Sequence, residues 1–385
     1  MGKNKKKEQL AEIDKKRKNS QSVGKGFWGG KKAKIIVAII IFVLTVTIGV
    51  GGSFWLVWEG KITNDKVVSL SKDILDKFYP QEELTIGWVT DAKCYGKQDD
   101  KTGERELNWR CIEPLESMVW KMNNETSPDL VVQGGSLIKN KGLPSEELFM
   151  AASGILKKIK APIYPIIGEE EVRGFSKEQW RNLSGQSSNY YYVDEGRYRL
   201  VFLDTNNYRL SESGEIVDSV PGQFSNVGLI DEKQLKWLEA TLKSSQLRKV
   251  LVFMHHPPIY TDLETEESSF SQDSGNIRTL FANYNVKAVF SGYLDRMCRQ
   301  TYQGVEYFVL QGIWESNDKL KEDFRFKNGG IFGEIYVSEE ATKVIVNYHR
   351  NRGGGYYDLE ITPGGYSCLD GYTLRERYQD KIQLD

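Results

Sequence analysis

From residue 84 onward, short apolar runs that break off at glycine or polar residues alternate with stretches of helical period. Leu84–Val89, Asp129–Val132, Ile163–Ile167, Tyr198–Leu203, Lys249–Met254 and Val286–Phe290 read as strands, being short and rich in β-branched and aromatic residues. Leu115–Met122 and Leu148–Ile159 carry apolar residues at helical spacing. A third helix follows Asp231, the predicted N-cap, with Leu235, Leu238 and Leu242 on one face. Two later runs, Val305–Leu310 and Lys343–Tyr348, are strand-like again. Alternation of this kind predicts an α/β class with mixed sheets, and the polar residues gather just past strand C-termini, where such folds build their sites. No internal repeat is present.

Upstream the pattern changes. Ile35 to Trp58 is a run of 24 residues without a charge. As a helix it spans about 36 Å, enough for the ~30 Å hydrocarbon layer of a bilayer. Lys31, Lys32 and Lys34 flank one end, and Trp55 and Trp58 suit the opposite interface. The alternatives are a cleaved signal peptide, which is shorter and ends in a small-residue site absent here, and a buried core helix. Residues 67–78 have helical spacing that ends at Pro80.

Charge supports a membrane orientation. The formal net charge is −1, yet residues 1–34 hold twelve Lys/Arg against Glu8, Glu12 and Asp14, a sum of +9 that leaves −10 for the rest. The positive-inside rule puts that tail in the cytoplasm, attracted to anionic headgroups, and the remainder outside it. An acidic body excludes a nucleic-acid binder. The organisation expected is a basic tail (1–34), a transmembrane helix (35–58), a juxtamembrane segment (59–83), the main domain (84–350) and a C-terminal extension (351–385). The chain is thus expected to be a single-pass cell membrane protein.

All four cysteines, Cys94, Cys111, Cys298 and Cys368, lie beyond the apolar run. An even count in an oxidising compartment allows disulfides. The preferred pairing is Cys94–Cys111, closing a polar loop, with Cys298–Cys368 tying down the C-terminus; free buried thiols are the alternative.

Several strand ends together resemble, in order, the motifs of the calcineurin-like metallophosphoesterases over residues 84–350. Thr90-Asp91-Ala92-Lys93 stands where that family has Asp-x-His. Asp129-Leu130-Val131-Val132 leads to Gly135-Ser136 where the family has Gly-Asp. Pro162 to Gly168 is kept but continues as Glu169-Glu170-Glu171 in place of Asn-His-Asp/Glu. Leu203-Asp204-Thr205-Asn206, Gln234 to Leu238, the His255-His256-Pro257 turn and Gly292-Tyr293-Leu294-Asp295, in place of Gly-His-x-His, complete the series.

The resemblance implies two mixed β-sheets packed face to face and flanked by helices, the αββα arrangement, here preceded by the transmembrane helix. It also implies two divalent metals about 3.5–4 Å apart that activate water for attack on phosphorus. Only Asp91 and His255 keep the family's residue type at the metal and acid positions. Lys93, Ser136, Glu169, Glu170, Tyr293 and Asp295 replace the others; Ser136 stands for the bridging Asp and Glu170 for the general-acid His. The chain has only His255, His256 and His349 from which to rebuild a site. Removing cations would leave carboxylates facing one another, and Lys93 offers an ammonium to Asp91 or Asp295 instead. The expected function is a membrane-anchored extracytoplasmic phosphoesterase-fold protein, catalytically inactive, with a binding or scaffolding role and no cofactor. Its expected partners are the membrane and another surface or envelope protein. The alternative is an active phosphoester hydrolase holding one Mn²⁺, Mg²⁺ or Ca²⁺ on Asp91, Glu169, His255 and Asp295, with Glu170 as acid. The Glu169–Glu171 run itself reads as a solvated loop.

Overall fold

The computed structural model describes residues 83–378 except 99–100, 143, 223–224, 226, 246–247, 263–266, 269, 271–273, 285, 295–297, 311, 313–328, 339–340, 351–355 and 361–375. Tail, apolar run and the helical spacing at 67–78 lie outside the described residues. Among the described residues no helix is long and apolar enough to cross a membrane.

The chain opens with β1 (Leu84–Val89), the hairpin β2 (Gly96–Gln98) and β3 (Arg105–Leu107), and helix α1 (Trp109–Lys121), which runs on into a π-helical turn at Met122–Thr126. Next come β4 (Leu130–Gln133), α2 (Ser145–Leu156), β5 (Ile163–Pro165), α3 (Glu169–Gly174) and α4 (Lys177–Ser184). A second series follows: β6 (Tyr191–Glu195), β7 (Tyr198–Leu203), the hairpin β8 (Asn207–Arg209) and β9 (Ile216–Asp218), α5 (Glu232–Lys243) and β10 (Lys249–Met254). After the short pair β11 (Tyr260–Asp262) and β12 (Glu267–Ser268) come α6 (Ser274–Asn283), β13 (Val286–Ser291), β14 (Cys298–Tyr302) and β15 (Val305–Val309). The last strands are β16 (Gly329–Val337), β17 (Thr342–Arg350), β18 (Tyr356–Glu360) and β19 (Glu376–Tyr378).

Two sheets result, ordered β19-β18-β17-β16-β1-β4-β5 and β14-β15-β13-β10-β7-β6. In the first, β1 runs parallel to β4 and β4 to β5, while β16 meets β1 antiparallel. In the second, β7, β10, β13 and β15 are parallel and both edges are antiparallel. Strand alternation sorts the apolar residues into three cores. Leu84, Ile86, Trp88 and Leu130 face Leu200, Phe202, Phe253 and Phe290 in the core between the sheets. Val89 and Val131 point the other way, under α1 and α2. Val201, Val252 and Met254 point outward under α5 and α6. Sheet packs on sheet, with helices on both outer faces. Phe202, Phe253, Phe290 and Phe308 stack in a row across the second sheet, ring centroids 4.9–5.4 Å apart.

Asp231 caps α5, its Oδ1 accepting from Gln234 N at 2.6 Å. Leu238 and Leu242 are buried, but Leu235 is 38% exposed and does not share their buried face. On the 100° helical step Leu235 sits at the margin of that stripe, where the sheet no longer covers it. The parallel strands β1, β4, β5, β7, β10 and β13 all deliver their C-termini to one edge, and that placement makes the site.

Candidate functional site

Because β1 and β4 run parallel, the segments leaving them travel side by side. Asp91 N donates to Gly135 O at 3.0 Å and Lys93 N to Ser136 O at 2.9 Å. The turns are tight enough that Asp91, Lys93, Ser136 and Tyr293 all adopt left-handed backbone, with φ of 48°, 45°, 50° and 66°. That conformation costs a non-glycine residue about 1–2 kcal/mol, and such strain gathers at functional sites.

Asp91 is buried, and its two oxygens differ. Oδ2 accepts from Thr90 Oγ1 at 2.7 Å and from Tyr293 N at 2.8 Å. Oδ1 has no hydrogen-bond partner. It faces Lys93 Nζ at 3.7 Å and His255 Nε2 at 3.9 Å. His255 is fully buried. Its Nδ1 lies 2.9 Å from Gly134 O, an atom that can only accept, so Nδ1 carries a proton. Its Nε2 lies 3.0 Å from Ser136 Oγ. Tyr293 lies against both imidazoles, 5.8 Å from the His255 ring and 4.3 Å from the His256 ring. Burial pushes the Tyr293 phenol up to about 12, with Glu169 adding to the effect, so it stays protonated. His256 sits with Nδ1 2.9 Å from Thr205 Oγ1. Burial, then the neighbouring His255, pushes it well below the ordinary histidine value.

The acidic run is not a solvated loop: it forms α3, and Glu171 is fully buried. Glu171 Oε2 accepts from Ser136 N and Gly168 N, both at 2.8 Å. Its Oε1 accepts from Leu137 N at 2.7 Å and Ile138 N at 3.3 Å. One carboxylate thus ties the turn after β4 to the turn after β5. Burial pushes this carboxyl up to about 7, while His255 and the backbone N–H donors pull it back. Charge-run reasoning missed it; the three-residue spacing from Gly168 to Glu171, a helix-start signature, was the available signal. Two glycines make the approach possible. A Cβ on Gly168 would lie 2.0 Å from Ser136 N, and one on Gly135 would lie 2.7 Å from His255 Nδ1.

The other predicted residues are distributed as follows. Glu169 pairs with Arg173 one turn along α3. The Glu170 carbonyl accepts from Asn140 Nδ2 at 2.6 Å, and its N–H approaches Ser136 Oγ at 3.4 Å. Asp295 lies outside the described residues. Cys94 and Cys111 form a disulfide with Cα atoms 5.3 Å apart. The Cys298 side chain and Cys368 lie outside the described residues. Nearby, Lys177 is buried, with Nζ 2.6 Å from Asp204 Oδ2, 2.7 Å from Asn207 Oδ1 and 3.0 Å from Asp218 Oδ1.

Two divalent cations need an anionic bridge and neutral or negative donors around it. Here the turns after β1 and β4 present the Ser136 hydroxyl beside His255 and an ammonium beside the carboxylate of Asp91. Among the described residues no three His, Cys, Asp or Glu side chains gather to hold a metal. The donor set of the described residues does not fit a cation pair.

A family model for calcineurin-like phosphoesterases matches residues 85–292. Glycerophosphodiester phosphodiesterase GpdQ of Enterobacter lignolyticus is 28% identical over 137 residues, 34% of this chain and 43% of that protein. A probable glycerophosphodiester phosphodiesterase GpdQ of Arcobacter nitrofigilis is 26% identical over 151 residues, 39% of this chain and 50% of the relative. The chain therefore spans about half the length of the curated relatives it matches. A dimetal phosphatase from Danio rerio shares the fold, with a TM-score of 0.52, 18% identity, and coverage of 74% of this chain and 99% of that one.

Proposed function

The chain belongs to the calcineurin-like phosphoesterase family, and we propose that it keeps the fold while having given up two-metal phosphoester hydrolysis. In this reading it is silent in phosphoester hydrolysis and serves as a module for binding or scaffolding. The apolar run at 35–58 anchors it in a membrane, with residues 59–385 on the outer side. Its partner is another surface protein.

The observation that carries the reading is Lys93 Nζ at 3.7 Å from Asp91 Oδ1. Two unit charges about 4 Å apart interact by about 4 kcal/mol at an effective dielectric of 20, and a divalent ion would feel twice that as repulsion from the ammonium. Ser136 withdraws the bridging anion at the same time. Each change alone weakens cation binding; together they replace the metals with an ion pair. The test is turnover of an aryl phosphate ester by the purified full-length protein with added Mn²⁺. No rate above that of Asp91→Ala and His255→Ala is expected, and metal-dependent turnover lost in both variants would end the silent reading.

One observation favours a second reading. Asp91 Oδ1 is buried without a hydrogen-bond donor, and an oxygen left so is costly unless something meets it. A single cation would meet it if Glu169 left Arg173 to join Asp91 and His255, with Asp295 as the fourth expected ligand. That reading predicts Mn²⁺-dependent cleavage of a phosphodiester, the substrate type named for the relatives, with Lys93 displaced from Asp91.

A further inference from the structure

We propose that Ser136 and His255 form a nucleophile–base dyad for acyl transfer, taking the acyl group of a neutral carboxylic ester onto Ser136 Oγ without a metal. The geometry is specific at three points. Gly134 O receives the Nδ1 proton of His255 at 2.9 Å, which fixes the ring and leaves Nε2 toward the serine. Ser136 Oγ lies 3.0 Å from that Nε2, within reach for proton transfer. Glu171 holds the backbone N–H groups of Ser136, Leu137 and Ile138, so the left-handed turn that aims the hydroxyl is fixed in advance. A base oriented by a carbonyl and a serine oriented by a strained turn supply the nucleophile and its base; the adjoining backbone N–H groups are held by Glu171, so no oxyanion donor is assigned.

Charge selects the substrate. Asp91 and Glu169 are paired with Lys93 and Arg173, the Glu171 carboxylate and the Glu170 N–H contact Ser136, and Lys139 and Lys141 follow it along the sequence. These charges balance, so they offer no excess cation to a phosphate dianion, and an uncharged ester carbonyl needs none.

The step balances within the dyad. Ser136 Oγ bonds to the carbonyl carbon as its proton passes to His255 Nε2. The tetrahedral adduct then breaks its carbon–oxygen bond to the alcohol, which leaves with that proton. Water repeats the sequence with Ser136 as leaving group, releasing the acid and restoring the hydroxyl. Ser136 is 1% exposed. The half-buried Tyr293 lies against both imidazoles, and in this proposal its ring is the cover that substrate displaces.

The test is labelling of the full-length protein by a fluorophosphonate probe in EDTA, with the modified peptide mapped, beside hydrolysis of p-nitrophenyl acetate. An adduct on Ser136 is expected, absent from Ser136→Ala and formed at least tenfold more slowly by His255→Asn. Tyr293→Gly, which removes the covering ring and suits the left-handed backbone, should label faster than wild type, and it keeps the test informative where a variant at buried His255 fails to fold. No adduct on folded wild type, or one that persists in Ser136→Ala, overturns the proposal. Phosphate-ester turnover with Mn²⁺ is read separately, so this idea and the metal-free reading fail independently.

Discussion

Lys177 shows how a single side chain can hold the edge beside the site. Its ammonium meets Asp204, Asn207 and Asp218 in a setting where it is 4% exposed. Burial still raises the Asp204 carboxyl above its ordinary value, against the pull of Lys177. A carboxyl raised in the folded state contributes most stability at low pH and loses it as pH rises. Lys177→Met removes the counter-ion, so chemical denaturation should show a loss of about 3–5 kcal/mol at neutral pH, shrinking toward pH 4. Adding Asp204→Asn should return part of it. The second prediction at this scale concerns the ion pair. Lys93→His with Ser136→Asp restores an imidazole and the bridging carboxylate, and calorimetry should show tighter Mn²⁺ binding than wild type. Unchanged affinity would mean that these two positions do not face the ancestral cation site. That Asp91, Lys93, Ser136 and His255 would meet was legible in the sequence because each follows a strand end. The role of Lys177 was not, since its partners lie on other elements; for Glu171 the spacing from Gly168 marks a helix start but not its grip on the turn after β4.

At the scale of elements, the strands were the most legible part. Leu84–Val89, Tyr198–Leu203 and Lys249–Met254 have the bounds their apolar runs predict, because each is buried on both faces and ends at a turn. Short β5 was harder: of Ile163–Ile167 only Ile163–Pro165 pairs, as the chain then turns toward Gly168. Small hairpins such as β2–β3 and β8–β9 have three-residue strands, too short for a periodic apolar signal. Helix α3 was misread as loop since it is only six residues long and opens with three glutamates, stabilised by what its third residue grips. The contact between the turns after β4 and β5 depends on Gly168. Gly168→Ala would drive a Cβ against the Ser136 amide, so we expect a loss of several kcal/mol in urea denaturation, while Gly154→Ala, with open space around it, should be neutral or slightly stabilising.

For the whole molecule, the αββα sandwich emerges from alternation alone: one set of strand residues fills the space between sheets, and the other seats the helices. β18 and β19 extend the first sheet past residue 350, a continuation that polar, glycine-rich sequence does not announce. The anchor proposed for residues 35–58 makes its own prediction. Deleting 1–58 should release the protein from the membrane fraction in a flotation assay, and protease added to intact cells should reach the domain. The central claim is that an ammonium and a lost bridging anion stand where the family holds two cations. Metal content of the purified full-length protein, equilibrated with excess Mn²⁺ and desalted, measures it most directly. We predict no stoichiometric metal; one or two ions retained per chain would contradict the account.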